Sequence, residues 1–152
     1  MGVTVRQAFA GPFVFIALGI ARAAALSLPF RTYAPIFGEV CDDHATAPPS
    51  AIPAAREPSR EGRRARHIGR TIESVARFTP WNSNCLAQTL VAAVCLRAAR
   101  ISFSVHFGVS PSEKADQPIE AHSWVMAGAY PVTGYAQSVG MTRLQTFRLE
   151  RS

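Results

Sequence analysis

The sequence predicts an α+β fold in which a helix with a cysteine at its N-terminus packs on an antiparallel sheet, with extra helices at the start of the chain. Three observations predict it. Asn82, Ser83 and Asn84, all favoured N-cap types, stand directly before a long run of helix formers that begins at Cys85. Residues 101–109 (ISFSVHFGV) alternate apolar and polar side chains without a break, the pattern of a half-buried strand. AHSWVM and YPVT, separated by Gly128-Ala129, read as two further strands joined by a short turn, which completes a meander. With 152 residues, 48% hydrophobic and 17% charged, the chain suffices for one such domain with a core and falls short of two.

Taken in order, residues 8–28 are apolar apart from Arg22, and a preceding Arg6 gives them the outline of a secretory signal. A spanning helix needs about 20 apolar residues in a row, and Gly11, Pro12, Gly19 and Arg22 interrupt this one. An Ala-rich helix from about Phe13 to Leu28, stopped at Pro29, explains the same letters. Core helix, membrane contact and cleaved signal all remain open at this point. Four prolines in 41–58 mark a loop or linker. Residues 59–78 then place Ile68, Ile72, Val75 and Phe78 at helical spacing, one apolar stripe on a charged helix. The domain plan is thus a hydrophobic helical segment over 1–40 packed on the core, a Pro-rich loop over 41–58, and the core proper over 59–152, all within one structural domain.

The net charge is +6, and fifteen of the sixteen basic residues are Arg. Arg56, Arg60, Arg63, Arg64, Arg66, Arg70 and Arg77 face only Glu57, Glu61 and Glu73 in the same stretch, which places +4 of the +6 there. A charge run of this kind is a solvated helix face or a docking surface for an acidic partner. Cys41, Cys85 and Cys95 are odd in number and widely spaced, without a CxxC, which disfavours a disulfide framework and a structural metal. Phosphate-binding glycine motifs are absent from the sequence, and no cofactor is expected.

The candidate chemistry begins at Cys85. In the first turn of a helix, unpaired backbone N–H groups and the positive end of the dipole stabilise a thiolate, and the same groups suit an oxyanion. Leu86, Leu90, Ala93, Val94 and Arg97 follow the helical period behind it. Cys95, ten residues on, lies about 15 Å up the axis and reads as a core thiol. His106 falls on the polar face of its strand, as an exposed or hydrogen-bonded surface imidazole. His122 shares a strand face with Trp124 and Met126. A cysteine hydrolase needs a base that takes the thiol proton and returns it to the leaving amine, and imidazole serves both steps. Cys85 and His122 are therefore the candidate dyad, with Asn84, Gln88 and Trp124 as candidates for oxyanion or substrate contacts. For Gln88, capping of local backbone groups is the alternative.

PWNSNCLAQTLVAAVCLRAARISFSVHFGV followed by AHSWVMAGAYPVTG resembles the lasso-peptide biosynthesis B2 protein, the transglutaminase-like cysteine protease of McjB C-terminal type. Pro80, Trp81, Cys85, Leu86, Gln88, Leu90, Gly108, Val109, Ala121, His122, Trp124, Val125, Val132 and Gly134 carry the resemblance, and LPFRTYAPIFG at 28–38 extends it more weakly. The resemblance implies a transglutaminase-like or papain-like core and a cytoplasmic enzyme. Its activity would be to remove the leader from a ribosomally made lasso precursor peptide, freeing the core amine for ring closure by a separate lasso cyclase. It implies Cys85 as nucleophile and His122 as general base and acid. Fused members of the family carry a leader-recognition domain, for which 152 residues leave no room, so a stand-alone leader-recognition (B1-type) partner is expected.

One position departs from the family. Transglutaminase-like triads place an Asp a dozen or so residues after the His to fix its tautomer, whereas Ser123–Leu149 contains neither Asp nor Glu. Glu120, Asp116 and Thr133 are the candidates for that role. The competing functions are a transglutaminase-like hydrolase or acyltransferase acting on another peptide, and a non-catalytic basic binding module. The chain has no nucleic-acid motif, and its aromatics lie apart from its arginines, so nucleic acid is not the expected partner. Peripheral membrane contact through 8–28 stays open.

Overall fold

The computed structural model describes residues 5–41, 59–81, 84–113 and 116–151, with 5–10 described by their backbone. Helix α1 (Val5–Ser27) leads into a short α2 (Phe30–Tyr33), a 3-10 turn (Ala34–Phe37) and strand β1 (Glu39–Cys41). Helices α3 (Arg60–Ala76) and α4 (Cys85–Ala98) precede β2 (Phe103–Pro111), β3 (Ile119–Ala127) and β4 (Tyr130–Thr133). A second 3-10 turn (Ala136–Ser138) and β5 (Thr142–Leu149) complete the fold. The architecture is α+β, as the sequence predicts, and the meander β2–β3–β4 is present. The five strands lie in the order β1-β5-β2-β3-β4, and every neighbouring pair is antiparallel. Residues 42–58, the body of the expected loop, lie outside the described residues, while Cys41 closes β1.

Helix α4 lies between the sheet on one side and α1 and α3 on the other, which corrects the single-stripe reading of its sequence. Ala87, Leu90, Val91, Ala92, Ala93 and Leu96 are all buried, so the apolar surface runs nearly around the helix rather than along one line. Val94 and Arg97, assigned to the buried stripe, are exposed. Arg97 instead donates to the carbonyls of Pro35 and Ile36 at 3.2 and 3.1 Å, tying the end of α4 to the first 3-10 turn.

Helix α1 starts two turns before Phe13 and runs through Pro12, because an internal proline removes one backbone hydrogen bond without forbidding the turns around it. It docks through Val14, Leu18 and Ala21, leaving Phe13, Ile16, Ile20 and Leu26 exposed. Among the described residues, no helix is long and apolar enough to cross a membrane. In α3 the buried line is Gly62, Ala65, Gly69 and Ile72. Ile68 and Val75 are only partly buried, and Phe78, expected on that line, is 80% exposed because the helix ends at Ala76. Small residues replace large ones where α3 rides directly on β4: a Cβ at Gly69 would stand 1.9 Å from the Val132 carbonyl oxygen, and one at Gly62 would stand 2.7 Å from the Tyr130 ring.

Residues 103, 105 and 107 of β2 face the helices, where Phe107 and Phe147 meet Phe30 and Phe37 at centroid distances of 5.6 to 6.0 Å. The opposite face corrects the reading of His106. It is only 7% exposed, bonded to Ser104 Oγ at 2.9 Å and Thr146 Oγ1 at 3.0 Å, and stacked on Trp124. Trp124, Met126 and Tyr135 form a second small core on that face, which alternation in one strand cannot show. Burial, with help from Arg143 and Arg148, lowers the His106 pKa from 6.5 to about 4.

Two outcomes are expected from this packing. Gly69→Ala should destabilise the protein by at least about 2 kcal/mol in urea unfolding, since backbone cannot move aside as a side chain can. His106 is held neutral in the folded state and protonates more readily when unfolded, so its contribution is complete above pH 6.5 and is lost as pH falls toward 4. The loss should reach roughly 3 kcal/mol across that window. Urea midpoints that are flat from pH 6.5 to 4.5, or a His106→Gln variant with the same pH slope, would contradict it.

Candidate active site

The start of α4 is built by its own sequence. Asn84 is the N-cap: its side-chain oxygen accepts from the Ala87 amide at 3.0 Å and its carbonyl from the Gln88 amide at 3.3 Å. Cys85 is the first helical residue, and the amides of Cys85 and Leu86 precede the first intrahelical bond. The Asn84 side chain is thereby occupied as a cap. One turn along α4, the fully buried Thr89 shares a 2.9 Å hydrogen bond with Ser123 on β3. That bond fastens the cysteine end of the helix to the strand that carries His122.

His122 and Cys85 are hydrogen-bonded to each other, and the Ser123 amide and hydroxyl also meet the sulfur. Burial alone would raise the Cys85 pKa; the His122 and Ser123 hydrogen bonds and the His122 charge outweigh it and bring it from 9.0 to about 7. Burial pulls His122 downward, and the bonds to Cys85 and to Gly134 more than reverse this, so its pKa is raised. The two shifts together favour a thiolate–imidazolium pair.

The orienting partner of His122 is a backbone carbonyl. His122 Nε2 donates to the Gly134 oxygen at 2.7 Å, which leaves Nδ1 as the ring nitrogen available to the sulfur. Gly134 stands twelve residues after His122, in the stretch where the resemblance implied an Asp. It has φ +72°, and a Cβ there would lie 2.7 Å from the Ser123 carbonyl oxygen and 3.0 Å from Nε2, so only glycine fits without displacing the strand or the ring. The three side chains proposed for this role are elsewhere. Thr133 is buried with no hydrogen-bond partner for its hydroxyl, Asp116 is exposed in the β2–β3 connection, and Glu120 acts on His122 only through its charge. Trp124, 2% exposed, offers no surface to a ligand; it stacks on the His122 ring at 6.4 Å and holds it from behind.

A carboxylate does enter the site, from the charged helix that carries Ile68, Ile72 and Val75. Glu73 on α3 accepts from the Gly134 amide at 3.4 Å, steadying the peptide whose carbonyl holds His122. Its sequence signal was slight: one of three acids in an arginine run, adjacent to the buried Ile72. A polar cleft of about 580 Å³ opens beside the pair, with Glu73, Gln88, Glu120, Thr133 and Gln137 in its wall. Gln88 is therefore placed on the cleft, one turn from Cys85. Among the described residues no cluster of His, Cys, Asp and Glu could hold a metal. Cys95 sits half-buried against the core, where burial raises its pKa and leaves it a poor nucleophile.

Alkylation of Cys85 by iodoacetamide, followed by mass spectrometry of its peptide, should rise with pH around a midpoint of about 7. His122→Ala removes the hydrogen bond and the charge that lower the pKa while burial remains, so the midpoint should move upward by more than one pH unit. Gly134→Ala should move it the same way, because a Cβ there presses on the Ser123 carbonyl and on the His122 ring. A midpoint that stays near 7 in both variants would show that His122 does not set the thiol.

Of three comparisons with known proteins, one found a match. A comparison with curated proteins and one with solved structures gave no match. The model of the Transglutaminase-like superfamily matches residues 24–146, which takes in the end of α1, both packing helices, the cysteine, the histidine and most of β5. By its sequence over most of its length, the chain belongs to the transglutaminase-like superfamily, whose members are typically cysteine-dependent enzymes.

Proposed function

We propose that the protein is a cysteine peptidase that removes the leader from a ribosomally synthesised lasso-peptide precursor. The observation that carries the chemistry is the Cys85–His122 hydrogen bond at a helix N-terminus, with the Cys85 pKa brought to about 7. The motif run from Pro80 to Gly134 supports the choice of substrate.

Cys85 Sγ attacks the carbonyl carbon of the scissile amide, and the oxygen becomes negative beside the Cys85 and Leu86 amides. His122 Nδ1–H gives its proton to the leaving nitrogen, the C–N bond breaks, and the core peptide departs with a free amine. The leader remains as a thioester on Cys85. Nδ1 then takes a proton from water, the hydroxide oxygen bonds to the acyl carbon, and the sulfur leaves as thiolate. Gly134 keeps the proton on Nε2 throughout, so Nδ1 always faces the reaction. A separate cyclase consumes the freed amine.

The basic face of α3 suits an acidic leader or a leader-recognition partner. Arg60, Arg63, Arg64 and His67 border a shallow groove there, which shares no lining residue with the cleft at Cys85. Cys85→Ala and His122→Ala should each lower precursor cleavage by at least about 10⁴-fold with unchanged circular dichroism. Retained cleavage by either variant would overturn the proposal. Cleavage of unrelated peptides at equal rates by the wild type would favour a general transglutaminase-like hydrolase.

A further inference from the structure

A second, smaller groove shares Cys85, Ala121, His122 and Ser123 with the cleft and lies on the other side of β3. The polar cleft extends toward β4 and α3, whereas this groove extends toward β2 and β5. Leu86, Phe107, Val109 and Leu144 line it together with Cys85 and His122, and it holds about 210 Å³. Its wall is carbon, and its volume is below the roughly 300–1,000 Å³ of small-molecule sites. It suits a single side chain rather than a whole ligand.

Leu144 reaches this groove through a break in the sheet. Phe107 pairs with Gln145 and Gly108 with Arg143, so Leu144 is the extra residue of a β-bulge. In an unbroken strand it would alternate with Gln145 and Phe147 and point to the opposite face, away from the helices. The bulge turns it to the helix side, beside Cys85. Gly108 permits the close approach of β5 there, since a Cβ would stand 3.0 Å from the Thr142 carbonyl oxygen and from the Trp124 ring. Leu144 is 61% exposed, a large apolar side chain held open to solvent at the edge of a reactive site. A lone exposed leucine needs no explanation. One placed by a bulge in a carbon-lined groove that Cys85 and His122 also line does.

We propose that this groove is a specificity subsite for an apolar side chain adjacent to the cleaved bond, and that Leu144 is its specificity-determining residue. The proposal rests on the peptidase reading for the identity of the substrate. The site then has two unlike flanks: the peptide enters with an aliphatic or aromatic residue on the β5 side and polar residues on the α3 side. Burial of that residue against Leu86 and Leu144 would fix which peptide bond lies over the sulfur.

The test uses two maleimides of similar intrinsic reactivity, N-benzylmaleimide and N-(2-hydroxyethyl)maleimide, on the full chain. Rates at Cys85 are read by mass spectrometry and normalised to glutathione. The benzyl reagent should be favoured about tenfold or more in the wild type, and Leu144→Lys should bring the ratio to within about threefold of unity. The exposed position of Leu144 makes loss of folding in this variant easy to exclude by circular dichroism, and Leu144→Ala provides a second reading in the same direction. A ratio near unity in the wild type, or one unchanged by both substitutions, would overturn the subsite. Precursor cleavage is scored separately. A chain that discriminates between the maleimides but cleaves no precursor keeps the subsite and loses the peptidase reading; one that cleaves precursor but takes both reagents equally does the reverse.

Discussion

The buried hydrogen bond between Thr89 and Ser123 is the fastening on which the site depends. Both hydroxyls are removed from water, where an unpaired one would cost about 1–3 kcal/mol; Thr89 is satisfied by Ser123, and Ser123 in turn reaches the Cys85 sulfur. Their pairing sets the height of α4 against β3. Cys85 lies one turn from Thr89 and His122 is the residue before Ser123, so sulfur and imidazole inherit that alignment. Burial of α4 on nearly every side prevents the helix from rotating or sliding out of it.

Around this fastening the protein orients its histidine with backbone rather than with a carboxylate. An ionised carboxylate on Nε2 would raise the imidazole pKa by its full charge; the Gly134 carbonyl does so by hydrogen bonding alone, and the charge of Glu120, two residues along the same strand, adds to it. The result is a Cys85 pKa brought to about 7 beside an imidazole whose pKa is raised, reached without a carboxylate on Nε2. Glu73 contributes at one remove, through the Gly134 amide. The stacked column of His106, Trp124 and His122 closes the other side, and His106 is suited to that role because burial keeps it neutral.

The elements legible in the sequence were those whose signal is local. Asn84 as a cap, Cys85 as the first helical residue, the alternation through Val105 and Phe107, and the turn at Gly128 each depend on a few neighbouring residues. β5 was not legible. TRLQTFRL mixes polar and apolar residues because its faces meet two different cores, and its bulge at Leu144 shifts the alternation midway. The α3 contact was misjudged for a related reason: the sequence signals burial with large apolar residues, while a helix pressed against backbone buries glycine and alanine.

The sequence alone determined the chemistry available: one cysteine at a helix start, one histidine on a following strand, and a charge distribution that leaves 123–149 without an acid. Helix capping and strand alternation are short-range, so they are written in consecutive residues. Tertiary structure decided how that chemistry is arranged. Gly134 replaces a side-chain acid, Glu73 arrives from a helix 61 residues earlier, and Leu144 joins the groove lined by Cys85 through a bulge. Each of these depends on where distant segments meet, and contact between distant segments follows from the packing of the whole core rather than from any stretch of residues read along the chain.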